Sequence, residues 1–242
     1  MRSRQRLIVR AEQILDQGVT LTAEQWHYLN HVLRLKAGDE LWILDGQGQR
    51  WLGEIQANTV KLLHPDCRET ELTTEIVLCL ALLKAASFEQ VLQQATELGV
   101  KRILPIQTAR SLLQPSAHKY QRWQRILQEA TEQSERLYVP TLSAPLSVAE
   151  MVRLTPRGYI ASLTASQLLW DYLPQMDFSQ PIYLAIGPEG GWTDSELEQV
   201  LAAGWQAFSL GQRTLRAVTA AIASLTLVSH YSERYRAIQQ QH

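Results

Sequence analysis

Two glycine-containing loops near the carboxyl end of the chain hold the residues that could bind a ligand. Residues 187–191 read Gly-Pro-Glu-Gly-Gly and directly follow the apolar run 182–186. Residues 211–216 begin with glycine, contain two arginines and follow a second short run, 206–210. Glycine lets the backbone approach a ligand closely, and loop arginines suit a phosphate or a carboxylate. We therefore favour a ligand site over an ordinary strand-to-helix turn.

The elements that position these loops are those of an α/β sheet. The run 182–186 predicts a buried strand. Thr193 and Glu196 predict a capping box that opens a helix, and Gly204 ends this helix before the next strand. A strand, a tight glycine loop, a helix and a second strand place a ligand site at the carboxyl edge of such a sheet. The sequence has neither GxGxxG nor the Gly-Lys-Ser/Thr of a P-loop, so the pattern matches neither a dinucleotide-binding site nor a P-loop nucleotide site.

The two loops together resemble the carboxyl-terminal signature of the trefoil-knot (SPOUT) RNA methyltransferases, and within them the RsmE-type family. The resemblance covers nearly the whole chain, because it also includes Lys84, residues 97–100, Arg110-Ser111, Arg122-Trp123, residues 129–136 and Pro140. That family methylates N3 of a uridine in the 16S ribosomal RNA of the small subunit. The resemblance thus implies an S-adenosylmethionine-dependent rRNA (uridine-N3-)methyltransferase, active as a homodimer.

The implied fold class is α/β. The resemblance implies a small PUA-like, RNA-binding β-barrel domain at residues 1–70, followed by a parallel-sheet SPOUT domain with a deep trefoil knot at residues 71–242. The residues themselves indicate a similar order of elements. The runs 40–44 and 50–55 flank a glycine-rich turn and predict a β-hairpin. From residue 75 onward, apolar runs alternate with amphipathic segments, which indicates a parallel sheet covered on both faces.

The resemblance also implies which residues bind the cofactor. We expect backbone groups and apolar cover to hold S-adenosylmethionine, from three loops at the carboxyl edge of the sheet. The expected cofactor-binding residues are Leu163, Thr164, Ile186, Gly187, Pro188, Gly190, Gly191, Leu210, Gly211, Leu215 and Arg216.

Methylation of uracil N3 also requires the removal of one proton. The hydrogen on N3 must leave before or during attack, so the site needs a general base or a cation that stabilises the uracil anion. Glu189 and Arg216 are the candidate catalytic residues for these two roles. Glu189 has an alternative role, which we favour: bracing its own loop by accepting backbone hydrogen bonds. Arg213 or Arg216 could also hold a phosphate or the carboxylate of the cofactor.

Basic residues spread along the chain are the candidates for RNA contact. They are Arg10, Arg34, Lys84, Arg110 and Arg136. Each contact would be to phosphate, which positions RNA without reading its sequence. For Arg136 the alternative is an ordinary helical i, i+4 ion pair with Glu132.

One departure from the family pattern lies beside the second loop. Ala217 and Val218 stand where the family usually has Thr-Glu, so a hydroxyl and a carboxylate are replaced by apolar groups. Two other functions are kept open. One is a ribose 2′-O-methyltransferase, since other trefoil-knot enzymes with similar loops attack that hydroxyl. The other is a non-catalytic RNA-binding protein with the same fold, which Val218 and the neutral net charge would allow. A small-molecule enzyme ranks below both, because it would not explain the β-rich first module.

Composition limits the class of protein. With 242 residues, 45% of them hydrophobic, the chain can form one or two globular domains. Its net charge of −1 predicts no general affinity for nucleic acid, so any RNA surface must be local. The two cysteines form no CxxC and the histidines and cysteines have no metal-site spacing, so we expect no metal. In the absence of a signal-like or membrane-spanning apolar run, we expect a cytoplasmic protein.

Overall fold

The computed structural model describes residues 4–15, 18–111, 115–155 and 157–239. The chain divides into two compact units. The first combines Met1–Glu71 with Gln128–Val139, and the second combines Leu72–Leu127 with Pro140–His242. A segment from the middle of the chain thus groups with the amino-terminal unit, whereas the predicted domains, 1–70 and 71–242, are each continuous. That division of the chain into domains stays a prediction.

A six-stranded sheet forms the framework of the first unit. Its strands are β1 (Arg6–Ile8), β2 (Ile14–Leu15), β3 (Gly18–Val19), β4 (Glu40–Leu44), β5 (Arg50–Ile55) and β6 (Val60–Pro65). The strand order is β1-β4-β5-β6-β3-β2. β1 pairs with β4 in parallel, and the other pairs are antiparallel. The β-hairpin predicted at 40–55 is confirmed as β4 and β5.

A short helix near the amino terminus packs on this sheet. Helix α1 (Ala23–His27) continues into a π-helical turn, Tyr28–Val32. The hydroxyl of Thr22 caps α1 by accepting from the Gln25 N–H, and the Gln25 side chain accepts from the Thr22 N–H. Leu29 is fully buried in a core with alternate residues of the strands, including Leu41 and Ile43. This alternation turns one face of the sheet toward that core, while Ile8 and Leu44 on the other face pack against Leu137.

The second unit is built on a parallel sheet. Its strands are β7 (Ile76–Ala81), β8 (Arg102–Gln107), β9 (Thr141–Leu142), β10 (Leu146–Ser147), β11 (Tyr159–Ala161), β12 (Ile182–Ile186) and β13 (Gln206–Phe208). The order is β10-β8-β7-β12-β11-β13, and β9 pairs with β8. Each of these pairs is parallel. Every residue of β7 is fully buried, as a continuous apolar run requires in a sheet covered on both faces.

Helices follow these strands along the chain. They are α2 (Ala85–Glu97), α3 (Ala117–Gln133), α4 (Val148–Leu154), α5 (Leu169–Tyr172), α6 (Asp194–Ala202) and α7 (Ala217–Gln239). The α/β class is confirmed, since a parallel sheet with connecting helices follows a β-rich module. No helix in the described part of the chain combines the length and apolar character needed to cross a membrane.

Candidate functional site

Five loops of the second unit meet at one edge of its sheet. They follow β7, β8, β11, β12 and β13, and include residues 82–84, 108–111, 162–168, 187–193 and 209–216. Because all these strands are parallel, their carboxyl ends lie at the same edge, where ligands bind in α/β sheets. Both predicted glycine loops are brought together there.

The glycine loop after β12 is a tight turn with space beside it. The Gly191 N–H donates to the Pro188 carbonyl oxygen over 2.8 Å. Gly191 has a φ of +71°, in the left-handed region that side chains rarely adopt. A Cβ at this position would meet no atom of the described residues within 4 Å. Glycine is therefore required by the backbone conformation, and the space in front of it is open.

Trp192 fixes the start of the same loop. Its indole N–H donates to the Ala161 carbonyl oxygen at the end of β11, over 3.1 Å. A Cβ at Gly187 would lie 2.9 Å from the indole nitrogen. Gly187 is thus explained by the packing of Trp192, a residue that our sequence analysis did not single out. An aromatic residue directly after Gly-Gly was the available signal.

The carboxylate of Glu189 contacts the loop after β7. Its Oε1 accepts from the Lys84 backbone N–H over 3.1 Å. The contact links the glycine loop to the loop after β7, and the role of Glu189 stays a prediction. The contact also places Lys84 at the site edge, where its exposed side chain follows the end of β7.

Two further contacts join the loop after β8 to the glycine loop. Nη1 of Arg110 donates to the Gly190 carbonyl oxygen over 2.6 Å and to the Trp192 carbonyl oxygen over 3.3 Å. The Ala109 N–H donates to Oε1 of Glu196 over 2.7 Å. The second oxygen of Glu196 accepts from the Thr193 N–H and completes the predicted capping box of α6. Glu196 thus has a second role that its capping pattern does not reveal.

The second glycine loop is held by Ser209. The Ser209 hydroxyl oxygen accepts from the Gly211 N–H over 3.1 Å, and the Ser209 backbone pairs with Gln167 and Leu169 of the neighbouring loop. Gly211 has a φ of +108°, and a Cβ there would also meet no described atom within 4 Å. Leu210 and Leu215 on either side are partly buried.

Apolar and cationic groups are exposed around the two loops. Leu163 is 74% exposed, two residues after the end of β11. Thr164 lies beside it, with its N–H bonded to the Ser162 hydroxyl over 3.2 Å. The side chains of Arg213 and Arg216 are exposed before α7.

These features fit S-adenosylmethionine. Open space at Gly191 and Gly211 would admit a ligand against the backbone. An exposed leucine would cover an adenine ring, and an exposed guanidinium would pair with the carboxylate of the methionine part. Among the described residues, no group of three or more His, Cys, Asp or Glu side chains could hold a metal ion.

The RNA candidates of the first unit differ in their surroundings. Arg10 and Arg34 are exposed, and Arg34 has a φ of +58°, directly after the turn that follows α1. Arg136 is only 3% exposed and makes two hydrogen bonds to Oε2 of Glu71, 2.7 Å from Nη2 and 3.1 Å from Nε. The guanidinium of Arg136 is thus held in a buried ion pair with Glu71, not with Glu132, and its contact with RNA stays a prediction.

Two family models match this chain. A model described as RNA methyltransferase domain matches residues 70–229, and one described as RNA methyltransferase PUA domain matches residues 21–62. The first covers more than half of the chain and contains the whole candidate site. The second confirms the PUA-like character of the β-rich module.

Curated relatives agree with these models. The chain is 42% identical to ribosomal RNA small subunit methyltransferase E of Synechocystis sp. over 232 residues, which is 93% of this chain and 77% of that protein. It is 27% identical to the enzyme of the same name from Bacillus subtilis, over 94% of this chain and 96% of that protein.

Solved structures give the same assignment. Ribosomal RNA small subunit methyltransferase E of Neisseria gonorrhoeae, bound to S-adenosyl methionine, superposes with a TM-score of 0.85 and 27% identity over 94% of this chain and 98% of that one. A putative methyltransferase of Legionella pneumophila in complex with the same cofactor superposes with a TM-score of 0.86 and 28% identity, again over 94% of this chain and 98% of that one. With its parallel-sheet domain, its PUA-like module and these relatives, the chain belongs to the ribosomal RNA small subunit methyltransferase E family.

Proposed function

We propose that this protein transfers the methyl group of S-adenosylmethionine to N3 of one uridine in 16S ribosomal RNA. The observation that carries the proposal is the pair of glycine loops, 187–191 and 211–216, which meet at one sheet edge with open space at Gly191 and Gly211. The named activity of the relatives supports the RNA substrate and the small subunit.

The chain has three tasks in this reaction. S-adenosylmethionine supplies the methyl group when bound. The loop residues orient it and exclude water: Leu163 provides apolar cover, and the glycines allow close backbone contact. The N3 proton would leave to water, so that negative charge develops on the uracil carbonyl oxygens. The new bond from N3 to the methyl carbon would then replace the bond from that carbon to the sulfonium sulfur, which would leave as a neutral thioether. Arg216 is the cation proposed to stabilise that negative charge, and its side chain is exposed directly before α7.

The remaining site residues have supporting roles in the proposal. Glu189 braces the glycine loop, because its carboxylate is bonded to the Lys84 N–H. Ile186 and Pro188 are buried and fix the two sides of Gly187. Arg10, Arg34 and Lys84 contact RNA phosphates from exposed positions.

The larger assembly is proposed from the resemblance. We propose a PUA-like domain at 1–70, a SPOUT domain with a trefoil knot at 71–242, and a homodimer. Since ribosomal RNA is the proposed substrate, the proposed place of action is the cytoplasm.

Two measurements test the function. Titration calorimetry with S-adenosylmethionine compares the cofactor affinity of the parent with that of two variants. These are Gly190→Val and the control Ala202→Val, a change to the same residue at an exposed helix end. A Cβ at Gly190 meets Arg110 Cδ at 3.2 Å, so the valine should disturb the loop and weaken binding by about 100-fold, or close to 3 kcal/mol. The control variant should bind like the parent.

Mass spectrometry of digested RNA then identifies the methylated atom. The proposal expects N3-methyluridine in 16S RNA or small subunits incubated with the protein and cofactor. A methylated ribose would instead identify the 2′-O-methyltransferase. If the parent binds no cofactor, with or without RNA, a non-catalytic RNA-binding protein takes the place of the enzyme.

A further inference from the structure

Arg110 lies across the cofactor loop, although its sequence position suggested a contact with RNA. Its Nη1 donates to the carbonyl oxygens of Gly190 and Trp192, at 2.6 and 3.3 Å. These partners are 80 and 82 residues away in sequence. The contact thus joins the loop after β8 to the loop after β12, across the end of β7, which lies between those strands.

The contact fixes the orientation of one peptide group. The Gly190 carbonyl and the Gly191 N–H belong to the same planar, trans peptide, so they point in opposite directions. Arg110 binds the carbonyl end, and the Pro188 carbonyl binds the N–H end over 2.8 Å. A peptide held at both ends cannot flip, although glycine on either side would otherwise allow it to do so.

The side chain of Arg110 also packs on the loop. A Cβ built on Gly190 would lie 3.2 Å from Cδ, 3.5 Å from Cβ and 3.8 Å from Cγ of Arg110. The aliphatic part of Arg110 therefore lies tightly against the place where a side chain at position 190 would begin. Glycine at 190 and arginine at 110 are parts of one contact.

We infer that Arg110 is a positioning residue for S-adenosylmethionine: it holds the Gly190–Gly191 peptide in the orientation that the cofactor meets. The inference rests on the proposed function, because it names the cofactor of that site. Its rival is the role of RNA guide, in which Arg110 would contact a phosphate and leave cofactor affinity unchanged in the absence of RNA.

The test uses the full chain with Arg110→Ala, Arg110→Lys and the control Arg125→Ala, an exposed arginine of α3. Amide hydrogen exchange of residues 187–193, without any ligand, reads the loop itself. Calorimetry with S-adenosylmethionine alone reads cofactor affinity, and anisotropy with a 16S RNA fragment reads RNA affinity.

In Arg110→Ala, we expect exchange at Gly191 and Thr193 to be about 10-fold faster, because a hydrogen bond that restrains the loop is lost. We expect cofactor affinity to fall about 10-fold, the effect of losing one hydrogen bond from a charged donor. The KM for the cofactor should rise with little change in kcat. The exchange rate and cofactor affinity of Arg110→Lys should lie between those of Arg110→Ala and the parent, since an ammonium can retain one carbonyl contact. Arg125→Ala should match the parent.

A double variant tests the shared contact. If Arg110 and Gly190 act together, Arg110→Ala adds little to the loss caused by Gly190→Val, because the valine has already displaced the guanidinium. Additive losses would contradict the inference.

The possible failures are distinguishable. Unchanged exchange and cofactor affinity, with weaker RNA binding, would overturn the inference and restore the RNA role. Faster exchange in the variant, together with a parent that binds no cofactor, would instead refute the proposed function and the cofactor part of the inference. The restraint of the loop by Arg110 would still be supported.

Discussion

At the scale of single residues, two glutamates with nearby backbone partners lie in contrasting surroundings. Glu189 is exposed at the sheet edge and accepts from the Lys84 N–H. Glu132 is only 8% exposed and accepts from the Ile8 N–H over 2.7 Å. Burial raises the pKa of Glu132 to about 7, although the hydrogen bonds from Ile8 and Gln128 act in the opposite direction. From α3, Glu132 thus satisfies a backbone N–H donor of the edge strand β1.

This pKa predicts that stability depends on pH. The ordinary value of 4.5 applies in the unfolded chain, so between pH 4.5 and about 7 the folded protein holds more protons. The contribution of Glu132 to stability therefore falls as pH rises through this range, and the cost is complete above pH 7. Glu132→Gln keeps an oxygen for the Ile8 N–H and removes the charge. It should gain stability over the parent with rising pH, on the order of 3 kcal/mol by pH 8.

Urea unfolding of parent and variant at pH 5, 6, 7 and 8 measures this difference. Glu24→Gln, at an exposed position of α1, is the matched control and should show no such trend. A Glu132→Gln effect that is the same at every pH would mean that Glu132 does not titrate in this range.

At the scale of elements, the glycine loop and α6 form one unit of structure. Thr193 caps α6: its hydroxyl accepts from the Glu196 N–H, and the Glu196 carboxylate accepts from the Thr193 N–H. Glu196 also binds the Ala109 N–H, so the first turn of this helix is anchored to the loop after β8. The side chains of Thr193 and Glu196 thereby bind two N–H groups at the start of the helix and one N–H group of the neighbouring loop.

Removal of the cap should weaken this region. Thr193→Ala is expected to lower the free energy of unfolding by about 1 kcal/mol, the usual effect of losing a threonine N-cap. Thr219→Ala, the same change at an exposed position of α7, is the control and should change it by less than about 0.5 kcal/mol. Denaturation curves of the two variants make the comparison. Equal losses would show that the capping hydroxyl is not the source of the stabilisation.

Several elements could be predicted from local pattern alone. The strands at 76–81 and 182–186, the hairpin at 40–55 and the capping boxes of α1 and α6 follow from runs of a few residues. The short elements β9, β10 and α4 were not predicted, because β9 and β10 have two residues each and are stabilised by pairing with β8. Such pairing is a tertiary interaction that local propensity does not reveal.

At the scale of the whole molecule, RNA affinity must come from a local surface. The net charge is −1, so each phosphate contact is a large share of the electrostatic attraction. Arg34 is exposed in the first unit, whereas Arg136 is buried against Glu71. The structure therefore separates these two arginines, both of which were RNA candidates from the sequence.

Salt dependence tests this separation. Arg34→Ala should weaken binding of a 16S RNA fragment and reduce the slope of log affinity against log salt by about 0.7, the contribution of one phosphate contact on a single strand. Arg125→Ala, an exposed arginine outside the proposed RNA set, should leave the slope unchanged. Anisotropy titrations at several salt concentrations measure both. An Arg34→Ala slope equal to that of the parent would remove Arg34 from the RNA surface.

The sequence by itself determined the chemistry of the loops and the class of the fold. The glycines at 187, 191 and 211, the apolar strands and the helix caps depend on neighbours within a few positions, so pattern reveals them. Only the tertiary structure decided which side chains act on the loops. Arg110 reaches Gly190 and Glu189 reaches Lys84 across 80 and 105 residues, because β7 lies between β8 and β12 in the sheet. Burial of Arg136 likewise depends on the packing of Gln128–Val139 within the first unit, which no local period encodes.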